Sequence, residues 1–469
     1  MRRFAFSFLL LAAACSALAP EPCGPVPSAS QMEWQKMEMN MFCHFGPNTF
    51  SGLEWGDGTE PEDLFAPTAL DCRQWARTAA AAGMKGIIIT AKHHDGFCLW
   101  PNPESTHTVA ASPWREGRGD VLRELSDACR EYGLKFGVYI SPWDRFDPDY
   151  GSPAYNEKYA RTLRSVHDGR YGPVFEQWFD GACGEGPDGR RQEYDWPLFH
   201  ATVRELSPDA VMFSDVGPGC RWVGNERGSA GETNWSTLSP EGFAPGRQAP
   251  PVDTLRQGNK YGTQWIPAET DVSLRPGWFW RQGEEPKSVD ELMRIYLESV
   301  GRNSLLLLNV PPDTRGRIPE ADSLRLMEWK ARLDREFRVN LALGASVGGT
   351  PARARRFRGS NLVDGDFDTF WAPDDGVTSP VLELSLPAPT RFDRVVLQEY
   401  IPLGQRVAEF RVEARSAGAW QEIAAGTTIG YKRILPVGPL EADALRITVC
   451  SAKACPVLSE VALYCSCGD

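Results

Sequence analysis

Histidine, tryptophan and carboxylate side chains recur at the ends of short apolar runs in this chain. Asp180 closes the run 174–180, while His93 and His94 follow the run 86–90. If such runs are parallel strands, their carboxyl ends meet at one edge and bring these side chains together. Carboxyl groups can transfer protons, and aromatic rings can stack on a pyranose. A site that combines the two is suited to cleavage of a glycosidic bond. Further side chains placed in this way are His44, Glu54, Trp55, Tyr139, Trp178 and Glu226.

The candidates for a catalytic carboxyl pair are Asp180 and Glu226. Glycoside hydrolysis with retention needs two carboxyl groups about 5–5.5 Å apart, one to attack and one to protonate the leaving oxygen. Asp180 has a short side chain next to Gly181, which suits a nucleophile that must be held in a narrow range of positions. Glu226 lies on a Gly-rich loop with Trp222, and an aromatic wall would raise its pKa, as a general acid requires.

Other assignments stay open for the acid and for the carboxyls in general. Any of these carboxylates could instead cap a helix or pair with an arginine. The rivals of Glu226 for the acid role are Glu54, Asp215, Glu269 and Asp271.

His93 and His94 have three interpretations. Adjacent strand residues point in opposite directions, so that binding of one metal by both is awkward. Neutral imidazoles that bond sugar hydroxyls are more credible, and a core position for one of the two stays open. Tyr139 and Trp178 could likewise be barrel core. Lys92 could form a Schiff base, but nothing nearby supports carbonyl chemistry.

The elements that must position these residues alternate between strands and helices up to about residue 336. Continuous apolar runs alternating with amphipathic stretches predict a parallel sheet buried on both faces. About 300 residues of this pattern suit a (β/α)8-like barrel, although fewer than eight strands are clear. The Gly- and Pro-rich stretch 217–276 is predicted to be an active-site loop region. The predicted strands are 39–44, 86–90, 135–140, 174–180, 210–215 and 304–310, and the predicted helices are 72–82, 121–132, 155–166, 197–206 and 289–300.

The pattern changes after about residue 338. Short alternating runs separated by Gly, Pro, Asp and Ser predict an all-β sandwich. The sequence therefore divides into a signal peptide at 1–19, a catalytic barrel at 20–338 and a sandwich at 339–469. The predicted strands of the sandwich are 381–386, 392–399, 408–414, 420–426, 431–435 and 444–449.

Composition restricts the partners and the compartment. A net charge of −12 argues against nucleic acid or an anionic membrane as a partner. Arg2 and Arg3 precede an apolar stretch and small residues, which indicates a secretory signal peptide and a secreted or extracytoplasmic protein. Cys15 as a lipid-bearing cysteine is the alternative. Because no later apolar run reaches membrane length, no membrane span is predicted. The sequence carries no signal for an oligomeric state.

Cysteine usage fits an exported chain. Of 12 cysteines, Cys450, Cys455, Cys465 and Cys467 cluster near the C-terminus and are predicted disulfide partners, with a zinc site as the weaker alternative. Asn234 begins an Asn-Trp-Ser glycosylation sequence, which would matter in a host that glycosylates and would make the chain a glycoprotein.

Several of these motifs together resemble the α-L-fucosidases of glycoside hydrolase family 29. The motifs are His-Phe-Gly-Pro-Asn at 44–48, Glu-Trp-Gly at 54–56, Lys-His-His-Asp-Gly-Phe at 92–97 and Trp-Phe-Asp-Gly-Ala at 178–182. Arg-Trp-Val-Gly-Asn-Glu at 221–226 and Arg-Pro-Gly-Trp-Phe at 275–279 resemble the subgroup that prefers α-1,3/1,4-linked fucose. The resemblance covers essentially the whole predicted barrel.

This resemblance implies a retaining exo-glycosidase acting on fucosylated oligosaccharides or glycoproteins, with no metal and no other cofactor. Asp180 matches the nucleophile of the family and Glu226 the acid/base of the subgroup. A transfucosidase and a catalytically inactive fucose-binding protein are the alternatives. The positions matching those that hold the hydroxyls or stack on the ring are His44, Glu54, Trp55, His93, His94, Tyr139 and Trp178, and Trp278 matches an aromatic residue on the pocket rim.

The C-terminal segment resembles a discoidin-like (factor 5/8 C-type) domain. The stretches that carry the likeness are 361–371, 397–406 and 429–432. The resemblance implies either sugar binding or packing against the barrel. Asp364, Asp366 and Asp368 could bind Ca²⁺ through oxygen ligands, but a solvated acidic loop is the commoner explanation.

Overall fold

Eight strands, each almost wholly buried, close a parallel barrel in the order β1-β10-β9-β6-β5-β4-β3-β2. Burial on both faces explains why they are continuous apolar runs in the sequence. The computed structural model describes residues 19–466; nearly all of the predicted signal peptide, and Cys467, lie outside them. The barrel strands are β1 Met39–Cys43, β2 Gly86–Lys92, β3 Lys135–Ile140, β4 Val174–Trp178, β5 Val211–Ser214, β6 Cys220–Trp222, β9 Ala268–Ser273 and β10 Ser304–Asn309. The predicted barrel is confirmed.

The predicted loop region 217–276 is wrong in part, because it contains two of the eight barrel strands. β6 and β9 lie within it and pair with each other in parallel. It also holds a short ribbon of β7 Thr237–Leu238 and β8 Gln264–Trp265. The rest of the stretch is loop and one short helix.

Helices surround the barrel and one closes its lower end. Ala29–Met37 places Trp34 and Met37 in the same apolar cluster as the inward-facing Trp178 and Phe213. The other α-helices are Pro47–Ser51, Cys72–Ala81, Val121–Glu131, Pro153–His167, Trp196–Leu206, Val252–Gln257, Val289–Glu298 and Glu320–Glu336. No helix among residues 19–466 is long and apolar enough to cross a membrane.

Short polar side chains begin several of these helices. Asp71, Asp120 and Asp195 each accept a hydrogen bond from a backbone N–H in the first turn. Ser288 and Glu291 form a reciprocal capping box. The carboxylates that cap these helices are therefore not the candidates for catalysis.

The C-terminal domain is an antiparallel all-β unit with its own core. Its sheet has the order β11-β12-β15-β13-β14, and β16 pairs with β12. Its apolar centre includes Trp371, Phe392 and Phe410. The strands are β11 Ser346–Gly349, β12 Val381–Glu399, β13 Val407–Ser416, β14 Ala419–Gly426, β15 Arg433–Ala452 and β16 Leu458–Tyr464. The predicted domain boundary lies between the last barrel helix and β11.

This all-β domain bonds directly to the barrel. The Ser236 N–H donates to Gln405 Oε1 at 2.7 Å, and the Tyr431 N–H donates to Asn303 Oδ1 at 2.7 Å. Asn234 belongs to the same contact, since its N–H donates to Thr428 Oγ1 at 2.9 Å, and its Nδ2 donates to the carbonyl oxygens of Arg302 and Asn303. Because Asn234 is buried and its amide nitrogen is used, the folded chain does not present it for glycosylation.

The acidic loop of this domain agrees with the commoner explanation, that of a solvated loop. Asp364 and Asp366 accept backbone N–H groups of their own loop, and Asp368 lies 3.3 Å from Lys36 of the barrel. Cys450 and Cys455, two of the four predicted partners, are not joined to each other. The C-terminal disulfide pairing stays a prediction, since Cys467 lies outside the described residues.

Candidate active site

A cavity of about 610 Å³ opens at the carboxyl ends of the barrel strands. All ten predicted site residues line it: Asp180, Glu226, His44, Glu54, Trp55, His93, His94, Tyr139, Trp178 and Trp278. Asp271, one of the predicted rivals for the acid role, also lines it. The sequence reasoning did not assign the remaining lining residues to the site, and these are Phe42, Ala182, Pro276, Gly277, Arg281 and Glu284. The fold therefore brings all of the predicted site side chains together in one cavity.

Asp180 lies two residues after the end of β4 and is held by two donors. The Tyr139 hydroxyl donates to its Oδ2 at 3.0 Å, and the Ala182 N–H donates to its Oδ1 at 2.6 Å. Burial raises the pKa of Asp180, while these two hydrogen bonds favour the ionised form and oppose that shift. A carboxylate fixed at both oxygens in this way has little rotational freedom.

The histidines of the cavity are neutral. Burial lowers the pKa of His44 and that of His94 to about 3, and it takes the pKa of His93 well below its usual range. His44 Nδ1 lies 3.0 Å from Asn309 Oδ1, and His94 Nδ1 lies 2.8 Å from Ser141 Oγ. The contacts at Nδ1 orient these uncharged rings. The Nε2 atoms of His44 and His94 can then form hydrogen bonds with hydroxyl groups in the cavity.

Tryptophans form both the floor and the rim of the cavity. Trp178 is buried and stacks on Phe213, with ring centroids 3.9 Å apart and planes 8° from parallel. Trp55 is 55% exposed and meets His94 edge-on at 5.8 Å. Trp278 lies 4.9 Å from the ring of His44. An exposed indole at the rim suits contact with a sugar.

Glu54 supports the 276–281 loop. Its Oε1 accepts the Trp278 backbone N–H at 2.6 Å, and its Oε2 accepts from Arg281 at 2.8 Å. Both carboxylate oxygens therefore hold the segment that carries Trp278. Sequence reasoning missed Arg281 because its partner is 227 residues away in the chain.

Glu226 lies at the exposed rim, and the indole that bonds it is Trp278. Trp278 Nε1 donates to Glu226 Oε2 at 3.3 Å, whereas Trp222 Nε1 donates to Asp271 Oδ1 at 2.9 Å. Burial raises the pKa of Glu226, the bond from Trp278 lowers it, and the charges of Asp180 and Glu54 raise it further. The indole that bonds Glu226 is therefore Trp278 and not the predicted Trp222, and its N–H opposes the rise in pKa that burial causes.

The rivals of Glu226 for the acid role lie in different places. Asp271 lines the cavity but is buried, and burial raises its pKa well above the usual range. Asp215 accepts from the Gly246 N–H at 3.3 Å and does not line the cavity. Glu269 is buried beneath the cavity and accepts the indole N–H of Trp178. Glu54 is occupied with the 276–281 loop.

We expect Trp278→Phe to move the alkaline limb of the pH–rate profile to higher pH. An N–H donor stabilises the ionised carboxylate, so its loss raises the pKa of Glu226 and keeps this group protonated further up the pH scale. The bond lies at the solvent-exposed rim, so the shift is expected to be small but in this direction. The measurement is kcat/KM against pH, with Trp55→Phe as the matched rim control. An unmoved or lowered limb would contradict this link.

Comparison with known proteins agrees with this geometry. A family model described as alpha-L-fucosidase matches residues 24–334, and one described as F5/8 type C domain matches residues 349–460. The Arabidopsis thaliana protein named alpha-L-fucosidase 1 is 41% identical and covers 98% of this chain and 92% of its own length.

Solved structures give the same result. The structure titled SpGH29 has a TM-score of 0.91 at 39% identity, covering 95% of this chain and 100% of that one. A Ruminococcus gnavus GH29 fucosidase in complex with fucose has a TM-score of 0.86 at 33% identity, covering 95% and 96%. The chain therefore belongs to the α-L-fucosidases of glycoside hydrolase family 29, with an F5/8 type C domain following its barrel.

Proposed function

We propose that the chain hydrolyses terminal α-L-fucose by a retaining double displacement, with Asp180 as nucleophile and Glu226 as acid/base. The observation that carries this assignment is that the two carboxyl groups line one cavity in different environments. Asp180 is fixed by Tyr139 and Ala182, whereas Glu226 lies at the rim with a raised pKa. A fixed carboxylate suits attack, and a carboxyl that stays protonated suits proton donation.

The proposed reaction has two steps. Asp180 attacks C1 of the fucosyl unit while the proton of Glu226 passes to the departing glycosidic oxygen, which gives a covalent fucosyl-enzyme. Glu226, now ionised, takes a proton from water as that water attacks C1 and displaces Asp180. Fucose leaves with its configuration retained, and both carboxyl groups return to their starting protonation states.

The neutral histidines support this assignment for a neutral sugar. A cationic imidazole near Asp180 would pair with the carboxylate and weaken its attack, but burial keeps His44 and His94 uncharged. His94 Nε2 lies 3.8 Å from Asp180 Oδ2, close enough for both to address one fucosyl unit. We assign His44, His93 and His94 to the sugar hydroxyls and Trp178 and Trp55 to the faces of the ring.

We further propose a preference for α-1,3/1,4-linked fucose. The support is the Trp278–Glu226 contact, which joins the two motifs typical of that subgroup at the rim where the rest of the substrate would lie. We expect a Lewis-type trisaccharide to be cleaved at least about tenfold faster than a 2-linked fucosyl oligosaccharide, because about 1.4 kcal/mol of lost rim contact gives that ratio.

One NMR time course on both substrates tests linkage and mechanism together. Early release of the α anomer of fucose supports retention, and early release of the β anomer would refute it. Equal rates on the two substrates would refute the linkage preference. Added lactose distinguishes a transfucosidase, which would form a fucosylated lactose instead of free fucose.

The compartment and the C-terminal domain complete the proposal. We propose secretion or an extracytoplasmic location from Arg2, Arg3 and the apolar stretch after them.

The all-β domain is assigned a supporting role, because its Gln405 and Thr428 hold backbone N–H groups in the loop region 217–276 that also carries Glu226.

A further inference from the structure

Two glutamates lie inside the barrel below the cavity, at a depth where the proposed mechanism needs no acid. Glu176 on β4 and Glu269 on β9 both have no exposed surface. Their oxygens and the sulfur of Cys220 lie within 4.8 Å of one another. Within residues 19–466, this is the group of three metal-capable side chains that the fold brings together.

Each glutamate accepts one indole N–H. Trp34 Nε1 donates to Glu176 Oε2 at 2.7 Å, and Trp178 Nε1 donates to Glu269 Oε1 at 2.8 Å. The other oxygen of Glu269 is buried without a hydrogen-bond partner among the described residues. That oxygen is therefore available to a proton held between the two carboxyl groups.

Among residues 19–466, no cation acts on either carboxyl group of this pair. The groups acting on Glu176 are Glu269, Trp34 and Cys220, and those acting on Glu269 are Glu176 and Trp178. Asp271 lies two residues further along β9 and interacts with Glu269. Arg221 acts on Cys220, but its guanidinium donates to the carbonyl oxygens of Leu255 and Ile266 and to Asn234 Oδ1. Two ionised carboxylates at this separation, both removed from water, would repel each other strongly, so a proton between them is the favourable state.

We propose that Glu176 and Glu269 form a buried carboxyl pair that holds at least one proton at neutral pH and fixes the indole of Trp178 beneath the fucose-binding cavity. Trp178 stacks on Tyr139 at 5.2 Å, and Tyr139 donates to Asp180 at 3.0 Å. Glu269 is thus a positioning residue that acts through Trp178 and Tyr139 on the nucleophile. Only this positioning role rests on the proposed function.

The proton count is tested by urea unfolding of the wild type and of the E176Q/E269Q double variant. Burial raises the pKa of Glu176 to about 7 and takes that of Glu269 well above its usual range. Between about pH 5 and pH 7 the native pair therefore holds protons that unfolded glutamates have lost, and unfolding releases them. Wild-type stability then falls as pH rises. We expect the unfolding constant of the wild type, relative to the variant, to rise at least about tenfold per pH unit.

The two amides of the double variant keep the shape of the pair and hold no titrating proton. Equal pH slopes in the two proteins would overturn the proposal. So would a metal ion bound at one per chain in the wild type and absent from E176Q/E269Q, measured by elemental analysis, because the cation would then replace the proton.

The positioning role is tested by comparing E269L with E269Q. Leucine leaves the Trp178 N–H buried without an acceptor, so kcat should fall at least about tenfold. Glutamine offers an oxygen to the indole and an N–H₂ to Glu176, so E269Q should restore most of that activity. An E269Q as slow as E269L would overturn the positioning role. If E269L does not fold, the proton count on the isosteric double variant decides the proposal independently of activity.

Discussion

Replacing Asp180 with alanine should lower kcat by at least about 10⁴-fold on any α-L-fucoside. The carboxylate is the group that would form the covalent bond to C1, and a methyl group cannot replace it. The supporting contacts from Tyr139 and Ala182 have no function in turnover without this carboxylate. The measurement is kcat on an activated aryl fucoside, with the fold checked by circular dichroism.

The control for this substitution is Asp215→Asn. Asp215 is also a carboxyl at a strand end, it accepts from Gly246, and it does not line the cavity. We expect Asp215→Asn to keep kcat within about tenfold, since no reacting atom touches this group. Azide added to Asp180→Ala should yield β-L-fucosyl azide, because the small anion enters from the side that the carboxylate has left. Full activity of Asp180→Ala would remove Asp180 from the mechanism.

Sequence patterns predicted the barrel where its strands are continuous and apolar. The run at 135–140 coincides with β3 Lys135–Ile140, and Val121–Glu131 lies within one residue of its predicted helix. β6 Cys220–Trp222 has only three residues, and β9 Ala268–Ser273 carries inward-facing Glu269 and Asp271. β6 lacks the length and β9 lacks the apolar composition on which the pattern depends, so the sequence showed fewer than eight strands.

The sandwich prediction divided strands that the structure joins. Runs predicted at 381–386 and 392–399 are two parts of β12 Val381–Glu399. The exposed Pro387-Ala388-Pro389 segment between them interrupts the alternation, and the pairing of β12 with β15 shifts its register at the same place. A strand predicted from the alternation of apolar and polar residues ends where that alternation ends, even though the extended backbone continues.

The site residues that could be predicted from the sequence are those positioned by a single strand. Asp180 and His93 follow strand ends and Tyr139 is the next-to-last residue of β3, and one parallel barrel brings such ends together. The Glu54–Arg281 and Trp278–Glu226 contacts join segments 227 and 52 residues apart. Such pairings depend on how loops close over the cavity, which no local pattern contains.

Replacing Glu226 with alanine should have an effect that depends on the leaving group. Natural oligosaccharides depart as poorly stabilised alkoxides, so the loss of the acid should lower kcat/KM by about 10³-fold. An activated aryl fucoside departs without a proton, and its first step should be nearly unaffected. The second step then becomes slow, because no base activates water, and the fucosyl-enzyme accumulates.

Rescue by azide distinguishes an acid/base role of Glu226 from a role in maintaining the structure. It needs no base, so it should attack the accumulated intermediate and restore turnover of the aryl fucoside in Glu226→Ala while leaving the oligosaccharide uncleaved. Attack on the Asp180-linked sugar gives α-L-fucosyl azide, the opposite anomer from that expected with Asp180→Ala. Glu284 lines the same cavity as a carboxyl, and Glu284→Ala is the matched control that should show no azide rescue. If Glu226→Ala gave the β azide, or gave none while Glu284→Ala gave the α azide, the acid/base would not be Glu226.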